Sequence, residues 1–251
     1  MILETVFLFI LGLFIGSFLN VIIYRLPHNK GFLNGRSYCD SCKRTILPYD
    51  LIPLVSYIIL RGKCRFCRSR ISYQIPLVEL ITGIFFALTF LKFPLTDLSF
   101  IFYIFVVCCL IVIFFIDLND GIIPDKILYP VTIVTLIYVF LNQNLVLHLI
   151  SSLISFILFF LIYFLTKGKG IGFGDVKFSF FLGLLLGLPK VAICFYIAFL
   201  TGGIVGLILI IWGKKRFKKD TIAFGPFLSL GAIISIFLGD LLVSLSLNFL
   251  R

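Results

Sequence analysis

The sequence predicts an all-α, polytopic membrane bundle of about eight transmembrane helices, with a small zinc-binding loop on its cytoplasmic side. Three observations predict the bundle. The 251 residues are 61% hydrophobic and only 13% charged, with mean hydropathy +1.18, too apolar for a soluble domain of this size. The apolar residues fall in runs near 20 long, the length that crosses a hydrocarbon core roughly 30 Å thick. Inside the runs polar and apolar residues do not alternate, as barrel strands would, so the runs are read as helices.

Spans are placed near 2–24, 74–91, 98–116, 127–141, 145–166, 176–188, 191–212 and 225–249. The first has no basic leader and no small-residue cleavage site, so it reads as a retained span. The 127–141 and 176–188 runs are short and read as tilted-bundle helices or partial spans. Eight crossings put 19 of the 22 lysines and arginines on one side, the exceptions being Lys92, Lys190 and Arg251. The positive-inside rule makes that side cytoplasmic. The net charge of +11 then reads as topology. The run Lys214–Lys219 is an anchor to anionic lipid, and no nucleic-acid partner is expected.

Three regions follow: residues 1–24 as the first helix, 25–73 as a cytoplasmic loop, and 74–251 as the helical bundle. The loop is too small to bury a strong core of its own. It carries Cys39-Asp-Ser-Cys42 and Cys64-Arg-Phe-Cys67, with 21 residues between the pairs. Four thiolates at this spacing can close a tetrahedron around zinc, and a reducing compartment disfavours the alternative of disulfides. Cys108, Cys109 and Cys194 lie in apolar runs and read as packing residues. Leu51–Leu60 is apolar but too short to span, and is expected against the bilayer surface or other helices.

Asp117, Asp120 and Asp125 gather between two apolar runs, and Gly172-Phe-Gly-Asp175 stands between two others. Two carboxylates sharing a proton can hydrolyse a peptide bond, one as base and one as acid. Asp125 after Pro124 fits a helix N-cap, and Asp120-Gly121 fits a turn. Asp117 has no local duty and is the best of the three. Asp175 fits either a cap or chemistry. Gly172 and Gly174 before it favour chemistry, by permitting close backbone approach to a bound peptide and unusual torsions. Glu79, near the start of its span, is either a carboxylate at a helix N-terminus or a contact for a cationic substrate group. Asp240 is expected at the outer interface, with residues 241–249 lying along the membrane.

The chain resembles the type IV prepilin peptidase family of GxGD aspartyl proteases. The resemblance rests on Gly16–Pro27, the double CxxC, Tyr49–Leu54, Arg61–Cys64, Pro76–Leu80, Asp117 with Pro124-Asp125, Gly172–Lys177 and Phe224–Phe227, and covers nearly the whole chain. It implies cleavage of the basic leader of type IV prepilins or pseudopilins, after a glycine and on the cytoplasmic face of a bacterial inner membrane, with Asp117 and Asp175 catalytic. It also implies methylation of the new N-terminus from S-adenosylmethionine, with the 25–73 loop as the methyltransferase region. No Gly-rich cofactor fingerprint is present, so no residue is assigned to the methyl donor. Two other classes fit less of the sequence. A protease resembling signal-peptide peptidases would not need the cysteine loop. A non-enzymatic carrier or scaffold would more often hold its acids near the membrane midplane.

Overall fold

A computed structural model of the chain describes residues 2–28, 31, 37–212 and 223–249. The basic run Lys214–Lys219 lies outside the described residues. Two compact units divide the chain, Met1–Val112 and Ile113–Arg251. The first contains α1 (Ile2–Arg25), a 3₁₀ turn (Pro48–Leu51), α2 (Val55–Ile59), α3 (Gln74–Lys92) and most of α4 (Leu98–Asp120). The second contains the end of α4, α5 (Asp125–Asn142), α6 (Leu145–Leu165), α7 (Phe173–Leu186), α8 (Lys190–Ile211) and α9 (Gly225–Phe249). Among the described residues the only non-helical pairings are two isolated bridges in the first loop, so the all-α expectation holds.

Seven helices among the described residues are long and apolar enough to cross a membrane: α1, α3, α4, α5, α6, α8 and α9. The expected 176–188 span is α7. Its 14 residues reach about 21 Å, short of a core roughly 30 Å thick. Ten of them are buried, so α7 is enclosed by protein, and its even hydrophobicity reflects burial on all sides.

Small residues set the helix contacts, as expected where lipid removes the hydrophobic drive for helix association. In the first unit, a Cβ on Gly12 would come within 2.8 Å of the Gly83 backbone, and one on Gly16 within 2.7 Å of the Glu79 backbone. The Asn20 side-chain amide adds a hydrogen bond to the Ile75 carbonyl at 3.0 Å. In the second unit, a Cβ on Gly183 of α7 would come within 2.6 Å of the Ser151 carbonyl of α6. Beside this contact the Ser179 hydroxyl donates to the carbonyls of Val176 and Ser155.

Two local expectations change. Asp125 is not the cap of α5. Pro124 holds that position and Asp125 is the first helical residue, its carboxylate ion-paired with Lys177. Asp240 does not end the last helix, because α9 continues unbroken to Phe249. The Lys190 ammonium pairs with the exposed Asp240 carboxylate at 2.6 Å.

Candidate functional site

Asp117 sits in the last turn of α4, where Leu110 to Ile116 are buried apart from the half-buried Phe114. Gly121, at φ +67°, closes that helix; its N–H donates to the Asp117 carbonyl at 2.9 Å. Glycine suits this left-handed end because it has no Cβ to clash. Asp117 is 4% exposed, whereas Asp120 and Asp125 face outward. Asp175 is the third residue of α7 and is 7% exposed. It is therefore not the N-cap. Its Oδ2 accepts the N–H of Gly172, which is the cap, at 3.0 Å.

Both acids lie in the second unit, near enough for the Asp117 charge to act on Asp175. Asp117 Oδ2 is buried without a hydrogen-bond partner. A buried charged oxygen without a donor is costly, and the cost falls if the carboxyl holds a proton or gains a water. Gly172 and Gly174 do not supply unusual torsions, since neither lies at positive φ. A Cβ on either would make only ordinary contacts, Gly172 with Asp175 Oδ2 at 3.5 Å and Gly174 with Ile123 at 3.4 Å.

Gly225 was not among the residues singled out for the site. A Cβ there would stand 2.6 Å from Asp117 Oδ2. The Gly225 amide also approaches the Asp117 carboxylate. The first turn of α9 thus abuts Asp117, and only glycine leaves the space. The available signal was Gly225-Pro226 opening a helix after a break, since proline favours the first helical turn.

Lys177 lies two residues beyond Asp175. Besides pairing with Asp125, its ammonium lies 5.7 Å from the Tyr129 ring centre and 5.8 Å from that of Phe173.

The first unit brings together a second cluster. The Sγ atoms of Cys39, Cys42, Cys64 and Cys67 all lie within 4.8 Å of one another. Cys39 and Cys67 are 3.7 Å apart; sulfurs at the corners of a tetrahedron with metal–sulfur bonds of about 2.3 Å would be about 3.8 Å apart. Each pair is presented by the same turn. Cys39 N–H donates to Arg44 O at 2.9 Å, and Cys64 N–H to Ser69 O at 2.8 Å. The residue after each second cysteine, Lys43 or Arg68, is left-handed, at φ 58° and 59°, which costs about 1 kcal/mol each without glycine. The bridges Tyr38–Thr45 and Lys63–Arg70 close the two turns. The likeness of the two turns lies in backbone shape.

The Cys42 backbone amide, and then the Ser69 hydroxyl, bring the Cys39 thiol down to about 6. The Ser69 hydroxyl also lowers Cys67. These two shifts favour the thiolate that a metal requires. At Cys42 the Arg44 amide, which lowers the thiol, is outweighed by desolvation and the Cys39 and Cys67 thiols, which push it up to about 11. Arg65, inside the second pair, donates to both oxygens of Asp50 at 2.8 and 2.6 Å, which holds the Asp50 carboxyl below its usual range. Glu79 also belongs to the first unit, and its carboxylate accepts the Leu54 N–H at 2.8 Å.

Residues 10–93 match the Bacterial Peptidase A24 N-terminal domain, and residues 104–207 match the Type IV leader peptidase family. A Prepilin leader peptidase/N-methyltransferase of Bacillus subtilis (strain 168) is 30% identical over 239 residues, covering 94% of this chain and 95% of that protein. Proteins of the same name from Burkholderia pseudomallei (strain 1026b) and Legionella pneumophila are 30% and 32% identical, over 94% of this chain and 86% and 92% of theirs. The chain belongs to the type IV leader peptidase family. No solved structure matches it. In this leader peptidase family member the first matched region holds all four clustered cysteines, and the second holds Asp117 and Asp175. Gly225 lies beyond both.

Proposed function

We propose that this chain is a membrane aspartyl endopeptidase that removes the basic leader of type IV prepilins or pseudopilins after a glycine, then N-methylates the new N-terminal residue. The observation that carries the hydrolytic half is the buried, unpartnered Asp117 Oδ2 in the same unit as a second buried acid, Asp175. Two such carboxyls resist ionising together and share a proton. The ionised member takes a proton from water, whose oxygen adds to the scissile carbonyl carbon. The protonated member gives its hydrogen to the carbonyl oxygen. When the tetrahedral species collapses, the leaving amine takes a proton from the first acid and the second recovers its own. Gly172 and Gly174 leave the α7 entrance open for the peptide backbone.

The basic loops 25–73, 117–126 and 167–175 fall on one side of the five spans α1, α3, α4, α5 and α6, and their lysines and arginines assign that side to the cytoplasm of a bacterial inner membrane. A prepilin inserted in the same membrane would bring its leader junction to the level of the two acids, and this confinement supplies proximity. Residues 74–251 carry hydrolysis. Residues 25–73 carry the methyltransferase region, with Cys39, Cys42, Cys64 and Cys67 holding a structural zinc. Four thiols at tetrahedral separations suit that ion, and its contribution is to fold the loop. S-adenosylmethionine would supply an electrophilic methyl group to the free amine; no residue of this chain is assigned to its binding.

Incubation of the full-length protein with a synthetic prepilin and labelled S-adenosylmethionine, followed by mass analysis of the product N-terminus, tests both halves. Cleavage after glycine with one added methyl is expected. An intact prepilin in the presence of folded enzyme would refute the hydrolytic reading.

A further inference from the structure

We propose that residues 51–59 form an in-plane membrane anchor, which rests in the headgroup layer of an anionic bilayer at a depth set by Glu79. The segment displays apolar side chains that the protein does not cover. Ile58 and Ile59 are 72% and 68% exposed, and Leu51, Ile52 and Val55 are each more than 40% exposed. So much apolar surface on one short stretch marks a docking surface.

Its depth is fixed by contacts with a helix that crosses the membrane. Tyr57 of α2 lies 6.3 Å, ring to ring, from Tyr73, which immediately precedes the first residue of α3. The Leu54 N–H, just before α2, donates to Glu79, the sixth residue of α3 and about 8 Å along it. The segment therefore lies level with the first turn and a half of a span, where interfacial elements bury their apolar faces about 5–10 Å into the boundary. Tyr73, 82% exposed, is the residue type that marks such boundaries. Arg61 and Lys63 follow α2 directly and are exposed, and they complement anionic headgroups. Leu54 is at φ 60°, an unfavourable torsion for leucine, held with its N–H on the Glu79 carboxylate. This assigns Glu79 as a positioning residue. The inference rests on the membrane spans alone and does not depend on the protease reading.

The chain has a single tryptophan, Trp212, so the anchor can be read by fluorescence. Full-length Ile58→Trp in a Trp212→Phe background, monodisperse in nanodiscs of phosphatidylcholine and phosphatidylglycerol, should lose most of its emission to acyl chains brominated near the headgroup. Aqueous iodide should quench it little. Adding Glu79→Ala should reverse the pattern, with a red shift and strong iodide quenching, because the segment is released from its depth. Iodide quenching without bromolipid quenching in the Glu79 background would overturn the proposal. So would a blue shift that appears only on adding a prepilin peptide, which would give the surface to substrate. Equal lipid quenching in phosphatidylcholine alone would overturn its anionic component.

Discussion

Glu79 in the first unit and Asp117 in the second are each 4% exposed, and each belongs to a helix apolar enough to cross a membrane. They differ in what meets them. Glu79 accepts a backbone N–H at 2.8 Å, which gives its charge a partner and its burial a purpose. Asp117 keeps one oxygen buried with no partner, beside a second acid and against a glycine that leaves it space. Burial alone does not separate the two carboxylates; the unpartnered oxygen and the neighbouring acid do.

The largest expected effect tests that distinction. Asp117→Asn and Asp175→Asn remove the shared proton while keeping size, and should each lower prepilin cleavage by about 10⁴-fold or more, as other catalytic-unit knockouts do. Near-normal cleavage by either folded, membrane-inserted variant would remove it from the pair. Glu79→Gln should leave the cleavage turnover number within a few-fold and the shape of its pH profile unchanged. In the unaltered enzyme that profile should be bell-shaped, with both limbs belonging to the coupled acids and not to either alone.

Gly225→Ala comes next. The added methyl must displace the Asp117 carboxylate, and a shift near 1 Å in a reacting group costs about 10²-fold. Cleavage should fall by that order while helix content and elution stay normal. A variant that cleaves at full rate would mean that Asp117 is not confined by α9.

Cys42→Ser should lower the metal content from about one zinc per chain, the stoichiometry of a four-thiolate site, and impair methylation far more than cleavage. Retention of full metal content would detach Cys42 from the cluster. The smallest effect is expected at Asp125→Asn. Its pair with Lys177 is partly exposed, and pairs of that kind contribute about 0–1 kcal/mol. Cleavage should persist with at most a slight fall in thermal stability; complete loss of cleavage confined to this variant would transfer the role of Asp117 to it.

Much of this arrangement was legible in the sequence because membranes simplify the code. Seven spans announce themselves by length and hydropathy, and the double CxxC announces a cluster by spacing alone. Asp117 stood out because it ends an apolar run without a turn or cap to serve. The 176–188 run could be read only as a tilted or partial span, because an apolar stretch enclosed by protein and one enclosed by lipid look alike; length, about 21 Å for α7, is what separates them. Asp125 was misread because a proline before an acid signals a helix start without saying which residue caps it. Gly225 escaped because its contribution is an empty space beside a residue 108 positions earlier, a relation visible only after folding. The shared backbone path of the two cysteine turns is marked in the sequence by no more than the cysteines and the basic residue after each pair.

The close packing of α1 on α3 through Gly12, Gly16 and Gly83 has a consequence for the peptide strung between them. The roughly 49-residue loop of residues 25–73 is short of the size at which a chain folds unaided. Its two ends leave adjacent helices, pinned together by the Asn20 side chain on the Ile75 carbonyl. Bringing together the ends of a free segment of that length costs about 3 kcal/mol in chain entropy, and here the helix pair has already met that cost within the bilayer. The cysteine turns therefore start from a closed ring, and a single ion binding four thiols has only to select among the conformations of that ring. Substituting Gly12 or Gly16 would act on this loop from inside the membrane, by parting its ends.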